Sequence, residues 1–252
     1  MREPIVIVEE GDGPIVATAI HDGHALRAEV AAQMALDDAT RLREEDPFTE
    51  RIAAVVPTRL IATRSRFEVD LNRPRDTAVY MSKADCWGLE AWCKPLPPEL
   101  RTRSLAEYDA FYAELERVLR ERVRVYGRFV VLDVHSYNHC RDGAGCAADP
   151  EANPEVNVGT GTVDRARWGA LVDRFCGDLA GCGLDVRENV KFKGGHMSRW
   201  IHETFPETGC ALALEFKKTF MDEWTGIADD AHLARLARAV ASTLPGLTES
   251  LR

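Results

Sequence analysis

Residues 128–136 have the sequence Arg-Phe-Val-Val-Leu-Asp-Val-His-Ser, and this stretch decides the fold class. A continuous apolar run of strand length, with polar residues at its carboxyl end, is typical of a central strand buried on both faces. Residues 210–216, Cys-Ala-Leu-Ala-Leu-Glu-Phe, follow the same pattern. Such strands need helices on both faces of the sheet, so the two stretches favour an α/β protein.

Helical patterns lie between the strand patterns. Ser104-Leu-Ala-Glu107 is a capping-box pattern, and the apolar spacing after it predicts a long helix that ends at Gly127. The other predicted helices cover residues 28–43, 164–182 and 231–244, and the other predicted strands cover 4–8, 15–20 and 184–186. The first two strands flank a Gly-Asp-Gly-Pro turn and are expected to form a hairpin or to lie side by side. We expect a three-layer αβα architecture with a mixed, mainly parallel central sheet.

Composition limits the possible partners and location. The chain has 252 residues, 45% of them hydrophobic and 29% charged, which suits one folded domain over residues 1–252. A formal net charge of −9 without a basic run argues against a nucleic-acid partner. The longest apolar stretches have the length of strands, which argues against a membrane partner. Residues 1–10 lack the features of a secretion signal, and the seven scattered cysteines favour reduced thiols in the cytoplasm. Nothing in the sequence indicates the oligomeric state.

Two histidines stand at the ends of predicted strands. His21 follows the strand over 15–20, and His135 ends the central strand. Imidazole is a preferred zinc ligand, although either histidine could instead be structural, with both ring nitrogens satisfied. A catalytic zinc site needs a third protein ligand, and Glu45 and Asp46 are the candidate carboxylates. His24 is a competing candidate, and residues 44–46 could also be a solvated charge cluster.

Glu215 lies near the end of the second apolar strand. A carboxylate at such a position should have a raised pKa, which suits a general base, unless Lys217 or Lys218 pairs with it. Residues 64–74, Arg-Ser-Arg-Phe-Glu-Val-Asp-Leu-Asn-Arg-Pro, place three arginines around what we interpret as a short strand. Arginine forks bind carboxylates, so this segment is either a substrate clamp or a surface strand with salt bridges.

Two glycine-rich segments complete the set of candidate regions. Residues 138–161 form a long predicted loop that we expect to shape a pocket. Cys140 and Cys146 within it could be a redox or metal pair, although the chain has no second pair at zinc-finger spacing. His196 and His202 follow the pair Gly194-Gly195 and could contact substrate, or they could be structural histidines.

Together these segments resemble the N-formylglutamate amidohydrolase family, which is similar in fold to the zinc carboxypeptidases and aspartoacylases. The resemblance spans most of the chain. It rests on five motifs in a fixed order, at residues 19–26, 45–47, 65–74, 132–136 and 214–216. The resemblance implies a zinc exopeptidase-like fold and a Zn²⁺ cofactor.

The resemblance also implies roles for individual residues. His21 and His135 would be metal ligands together with Glu45 or Asp46. Glu215 would activate water, and Arg66 would polarise the scissile carbonyl. Asn72 and Arg73 would hold the α-carboxylate of the substrate, and we add His196 as a candidate substrate contact. This chain departs from the carboxypeptidases and aspartoacylases in one respect, because His24 stands where they have a glutamate.

These features predict a zinc-dependent amidohydrolase that cleaves a small N-acyl amino acid such as N-formylglutamate. One alternative is a carboxypeptidase-like peptidase, which should have an open cleft with an apolar side-chain pocket. A second alternative is a catalytically silent binding protein of the same fold. The acyl group and the amino-acid side chain stay open.

Overall fold

The computed structural model describes residues 4–252, and this part of the chain contains seven strands and seven α-helices. Residues 1–3, part of the segment 1–10 for which no secretion signal is predicted, lie outside the described residues. The strands are β1 Val6–Glu9, β2 Ile15–Ala19, β3 Thr58–Ala62, β4 Phe129–Tyr137, β5 Val156–Gly159, β6 Val186–Glu188 and β7 Gly209–Lys217. The helices are α1 Ala28–Ala31, α2 Asp38–Glu44, α3 Thr49–Ala53, α4 Pro98–Tyr126, α5 Arg165–Ala180, α6 His196–Thr204 and α7 Asp230–Ser250.

The strands form one mixed sheet in the order β1-β3-β2-β4-β7-β5-β6. Its centre is parallel, since β2 pairs in parallel with β3 and β4, and β4 pairs in parallel with β7. The edges are reversed, because β1 runs antiparallel to β3 and β5 runs antiparallel to β7. The predicted mixed, mainly parallel sheet is confirmed. The carboxyl ends of its central strands all meet at one edge.

Two hydrophobic clusters cover the two faces of the sheet. Leu115 and Val118 of α4 pack on one face together with Ile201 of α6. On the other face, α3, α5 and α7 pack around the buried side chains of Val130 and Leu132. Burying a side chain of this size contributes about 1.5–3 kcal/mol, so the two clusters hold the layers together. The predicted three-layer αβα architecture is confirmed.

Several predicted helix boundaries are wrong. The helix predicted over 28–43 is two short helices, because the side chain of Asp37 accepts a hydrogen bond from Thr40 N and caps a new start. Helix α4 begins at Pro98, six residues before the predicted capping box. Ser104 lies inside this helix and its hydroxyl accepts a hydrogen bond from Arg27. Helix α6 was not predicted.

Some strand predictions are also wrong. β1 and β2 do not pair, because the unpredicted strand β3 lies between them. Residues 64–74 do not form a strand, since β3 ends at Ala62 and the chain then turns. The predicted loop 138–161 contains the strand β5. No helix among residues 4–252 is both long and apolar enough to span a membrane. All seven cysteines have free thiols.

Candidate active site

Three buried side chains meet at the carboxyl edge of the sheet. His21 follows β2, His135 lies near the end of β4, and Asp46 lies between α2 and α3. The backbone N–H of Asp46 donates to the oxygen of His21, which ties this loop to the strand end. Oδ2 of Asp46 lies 3.0 Å from Nδ1 of His135 and 3.4 Å from Nδ1 of His21. Two imidazole nitrogens and a carboxylate oxygen therefore face one point, and the three residues can hold a metal ion.

The outer nitrogen of each imidazole faces another carboxylate. Nε2 of His21 lies 2.7 Å from Oδ1 of Asp70, and Nε2 of His135 lies 3.0 Å from Oδ1 of Asp133. Such partners fix the ring orientation and leave Nδ1 as the coordinating atom. Burial alone would raise the pKa of Asp46, but hydrogen bonds from His135 and His21 hold it far below its usual range. The carboxylate is therefore charged at neutral pH, as a metal ligand must be.

The other candidate third ligands lie outside this cluster. Glu45 points away from it, and its carboxylate contacts Nδ1 of His24 and the hydroxyl of Ser65. His24 lies half exposed on the far side and also meets the guanidinium of Arg41. Of the three candidates, the structure brings only Asp46 to His21 and His135. Glu45, the other predicted carboxylate ligand, lies outside the cluster, because its extended backbone at the end of α2 directs its side chain to His24 and Ser65.

Glu215 stands beside the cluster on β7, where it is the register partner of His135 on β4. Burial above all, and then the charge of Asp46, raises the pKa of Glu215 to about 7. The two lysines proposed as partners bind elsewhere. The ammonium of Lys217 donates to Asn153 O, and that of Lys218 donates to the oxygens of Arg43 and Glu45 and to the Asn138 side chain. Glu215 therefore lies beside the cluster and lines the same cavity, without either lysine as a hydrogen-bond partner.

Arg66 lies near the cluster and lines the same cavity. Its guanidinium donates to Asp70 Oδ2 over 3.0 Å and to the Tyr80 hydroxyl over 3.3 Å, and it stacks on Trp87. Burial would lower the pKa of Arg66, but Tyr80 and Asp70 raise it well above its usual value. Arg66 is therefore a fixed cation beside the metal-ligand cluster.

Asn72 lies at the cavity wall and is anchored on α6. Its side-chain oxygen accepts the N–H of Met197 over 3.0 Å, and its amide nitrogen lies 3.4 Å from Nε2 of His135. Gly195 packs against this amide so closely that a Cβ there would lie 2.2 Å from the Asn72 oxygen. Any larger residue there would displace the Asn72 side chain from this position.

Two predicted substrate contacts are not brought to the cavity. Arg73 does not line the cavity, because its guanidinium donates to Asp85 O, lies 3.4 Å from Asp70 Oδ2 and stacks on the ring of Tyr80. The ring of His196 packs against Tyr112. His202 is structural, since its ring nitrogens bond Thr162 Oγ1 and the backbone N–H of Ala211.

The cluster opens into a cavity of about 250 Å³. Four cationic side chains line it, although the whole chain has a net charge of −9: Arg66, Arg141, Lys193 and Lys218. Arg141 belongs to the predicted pocket-shaping loop, and its guanidinium pairs with Glu44 over 3.0 Å. Sequence reasoning missed Arg141, Lys193 and the wall residues Trp87 and Phe192, since none lies at a strand end. Of these four residues, Arg141 alone lies in the loop 138–161 that was predicted to shape a pocket.

The fold and the cluster define the class of protein: an αβα protein with a buried His–Asp–His group suited to a metal ion at the carboxyl edge of its sheet. A model of the N-formylglutamate amidohydrolase family matches residues 13–221. The chain therefore belongs to the N-formylglutamate amidohydrolase family.

Individual relatives match over nearly the whole chain. The chain is 28% identical to the N-formylglutamate deformylase of Pseudomonas aeruginosa, over 96% of this chain and 95% of that protein. Among solved structures, the N-formylglutamate amidohydrolase of Ralstonia eutropha JMP134 superposes with a TM-score of 0.78 at 19% identity, covering 98% of this chain and 97% of that one. A gene product of Agrobacterium tumefaciens has a TM-score of 0.71 at 16% identity, with coverages of 97% and 96%. At these identities the solved structures show a shared fold.

Proposed function

We propose that this chain is a zinc-dependent amidohydrolase that removes the formyl group from a small N-formyl amino acid, with N-formylglutamate as the first candidate substrate. The observation that carries the proposal is the convergence of His21, Asp46 and His135 beside Glu215 and Arg66. The relative named N-formylglutamate deformylase supports the choice of reaction. A cytoplasmic location, as the cysteines suggest, is part of the proposal.

The donor set fits zinc. Two imidazoles and one carboxylate are the ligands of many catalytic zinc sites, which keep one position open. The carboxylates of Asp70 and Asp133 behind the imidazoles are the partners that such ligands usually have. A zinc ion held there would supply Lewis-acid chemistry, which acidifies water and polarises a carbonyl oxygen.

The residues of the chain account for the proton transfers of hydrolysis. Water adds to the formyl carbon and the C–N bond breaks, giving formate and the free amino acid. The carboxylate of Glu215 accepts the proton that the attacking water loses and returns it to the leaving nitrogen. Arg66 donates to the carbonyl oxygen as negative charge develops there. Asn72, at the wall of the cavity, would bind the α-carboxylate of the substrate.

The cavity favours a small anionic substrate. Its volume of about 250 Å³ is below the roughly 300–1,000 Å³ typical of drug-sized ligands, so a formyl amino acid suits it better than a peptide. Arg141 and Lys193 at its wall offer positive charge to a second carboxylate, such as that of a glutamate side chain. These features favour the amidohydrolase over the carboxypeptidase-like alternative.

The test is formate release by the purified chain. We expect hydrolysis of N-formylglutamate, loss of activity after chelation, recovery with Zn²⁺, and little hydrolysis of acyl dipeptides. Rapid cleavage of the dipeptides would favour the peptidase. Absence of hydrolysis with zinc bound would favour the silent binding protein.

A further inference from the structure

A second group of metal-binding side chains lies outside the cluster described above. His139 and Cys140 follow β4, and Glu223 follows β7. An imidazole nitrogen, a sulfur and a carboxylate oxygen from these residues lie within 4.8 Å of one another. We propose that His139, Cys140 and Glu223 form a second, sulfur-containing site that binds zinc or a similar thiophilic divalent cation.

The spacing of the donor atoms suits a tetrahedral ion. Bonds of about 2.0–2.3 Å to nitrogen, oxygen and sulfur place neighbouring ligand atoms roughly 3.3–3.8 Å apart. Nε2 of His139 lies 3.7 Å from Oε1 of Glu223, and Sγ of Cys140 lies 3.5 Å from Nδ1 and 3.9 Å from Nε2 of the same ring. Side-chain adjustment alone would therefore bring all three atoms to one ion.

The carboxylate of Glu223 is already oriented for this role. It is buried and accepts the backbone N–H of His139 over 2.6 Å and that of Cys140 over 3.1 Å. Metal-binding carboxylates are commonly held by such outer hydrogen bonds. A carboxylate can accept about four hydrogen bonds, so a lone pair is left for an ion.

The charges of the three groups match a divalent cation. Binding would release the thiol proton of Cys140 to solvent, and the thiolate and the carboxylate would then neutralise the ion. An imidazole binds a metal through the free lone pair of its neutral form, so His139 would add no charge to the site. The mixture of sulfur and nitrogen donors selects zinc over magnesium or calcium.

The surroundings of the site would accommodate an ion, and an ion there would stabilise the loop that carries Arg141. A cavity of about 270 Å³ adjoins the three side chains, which allows water at the fourth position. Arg141 follows Cys140 directly, and its guanidinium pairs with Glu44 at the catalytic cavity. The ion would therefore fix the loop that presents Arg141, at a distance from the catalytic cluster and with no ligand in common.

Cobalt substitution distinguishes the two sites, because the catalytic cluster contains no sulfur. We would strip the full-length chain with a chelator and titrate it with Co²⁺. Two equivalents should bind, and one should give the near-ultraviolet charge-transfer band of a thiolate bound to cobalt. A single equivalent without this band would overturn the proposal, whether or not the chain hydrolyses formyl amino acids.

Variants assign the band to these residues. Cys140→Ser should remove the band and one of the two equivalents, whereas Cys93→Ser, at an exposed cysteine elsewhere, should keep both. Glu223→Gln preserves an oxygen for the two N–H groups but loses the charge, and should weaken the second site by about 10-fold or more. A band that survives Cys140→Ser, or unchanged cobalt affinity in Glu223→Gln, would show that the assignment is wrong.

Discussion

The ammonium of Lys218 donates a hydrogen bond to the backbone oxygen of Glu45 over 2.6 Å, immediately before the proposed ligand Asp46. The same ammonium, fully buried, holds Arg43 O over 2.7 Å and the side-chain oxygen of Asn138 over 2.8 Å. One lysine therefore joins the loop that carries Asp46 to the chain that leaves β4.

Replacing Lys218 should disturb the metal-ligand cluster indirectly. Lys218→Met leaves three oxygens without their charged donor, and we expect about 10–100-fold weaker zinc binding and a loss of about 1–3 kcal/mol of unfolding free energy. Competition with a zinc chelator and thermal unfolding measure the two effects. Lys217→Met is the matched control, since that ammonium donates to Asn153 O and does not line the cavity. Equal zinc affinity in both variants would contradict this role of Lys218.

Adjacent carboxylates provide a test of the third ligand. Asp46→Asn should reduce zinc affinity at least about 100-fold, because it removes the charge that faces both histidines. Glu45→Gln should bind zinc nearly as well as the unmodified chain, because its side chain contacts His24 and Ser65 instead. The measurement is the zinc content per chain after dialysis. A lower zinc content in Glu45→Gln than in Asp46→Asn would assign the ligand to Glu45.

Glu215→Gln should remove hydrolysis without removing the metal. We expect about 10²–10⁴-fold lower kcat, as for the loss of a general base, with zinc content unchanged. Formate release and metal analysis of the same preparation check the prediction. A variant that keeps most of its kcat would exclude Glu215 as the base.

The raised pKa of Glu215 also predicts how stability depends on pH in the metal-free protein. The folded chain holds this proton up to about pH 7, whereas the unfolded chain releases it near pH 4.5. Stability from this group should therefore be present at low pH and be lost as pH rises towards 7, by about 3 kcal/mol. Urea unfolding of the metal-free proteins should show this fall in unfolding free energy between pH 4.5 and 7 in the unmodified chain. In Glu215→Gln the fall should be smaller by about 3 kcal/mol.

The cationic wall should select a charged substrate side chain. Lys193→Met should lower kcat/KM for N-formylglutamate about 10-fold, the value of one charge-assisted hydrogen bond, and leave N-formylglutamine almost unchanged. Lys191→Met is the control, because that ammonium binds Asn153 and does not line the cavity. Equal losses for the two substrates would show that Lys193 does not recognise the side-chain carboxylate.

Sequence patterns predicted the parts of this protein that depend on local composition. The apolar runs of β4 and β7 identified the centre of the sheet, and the strand ends identified His21 and His135. The sequence did not predict features that depend on tertiary contacts. Whether Glu45 or Asp46 faces the histidines depends on the direction of one side chain, and α6 is positioned by contacts with Asn72 from a distant part of the chain. The position of Arg73 likewise depends on tertiary contacts, with Asp70, Tyr80 and Asp85.

The register of β4 and β7 pairs His135 with Glu215 across two hydrogen-bonded strands. Adjacent strands keep a spacing of about 4.8 Å that side-chain substitutions hardly alter. The distance between His135 and Glu215 is thus set by the backbone ladder at the centre of the sheet. The cationic cavity residues proposed to select the substrate, Arg141 and Lys193, lie instead in connecting segments. Substitutions in the connecting segments could therefore change the substrate range while the sheet keeps the spacing of His135 and Glu215.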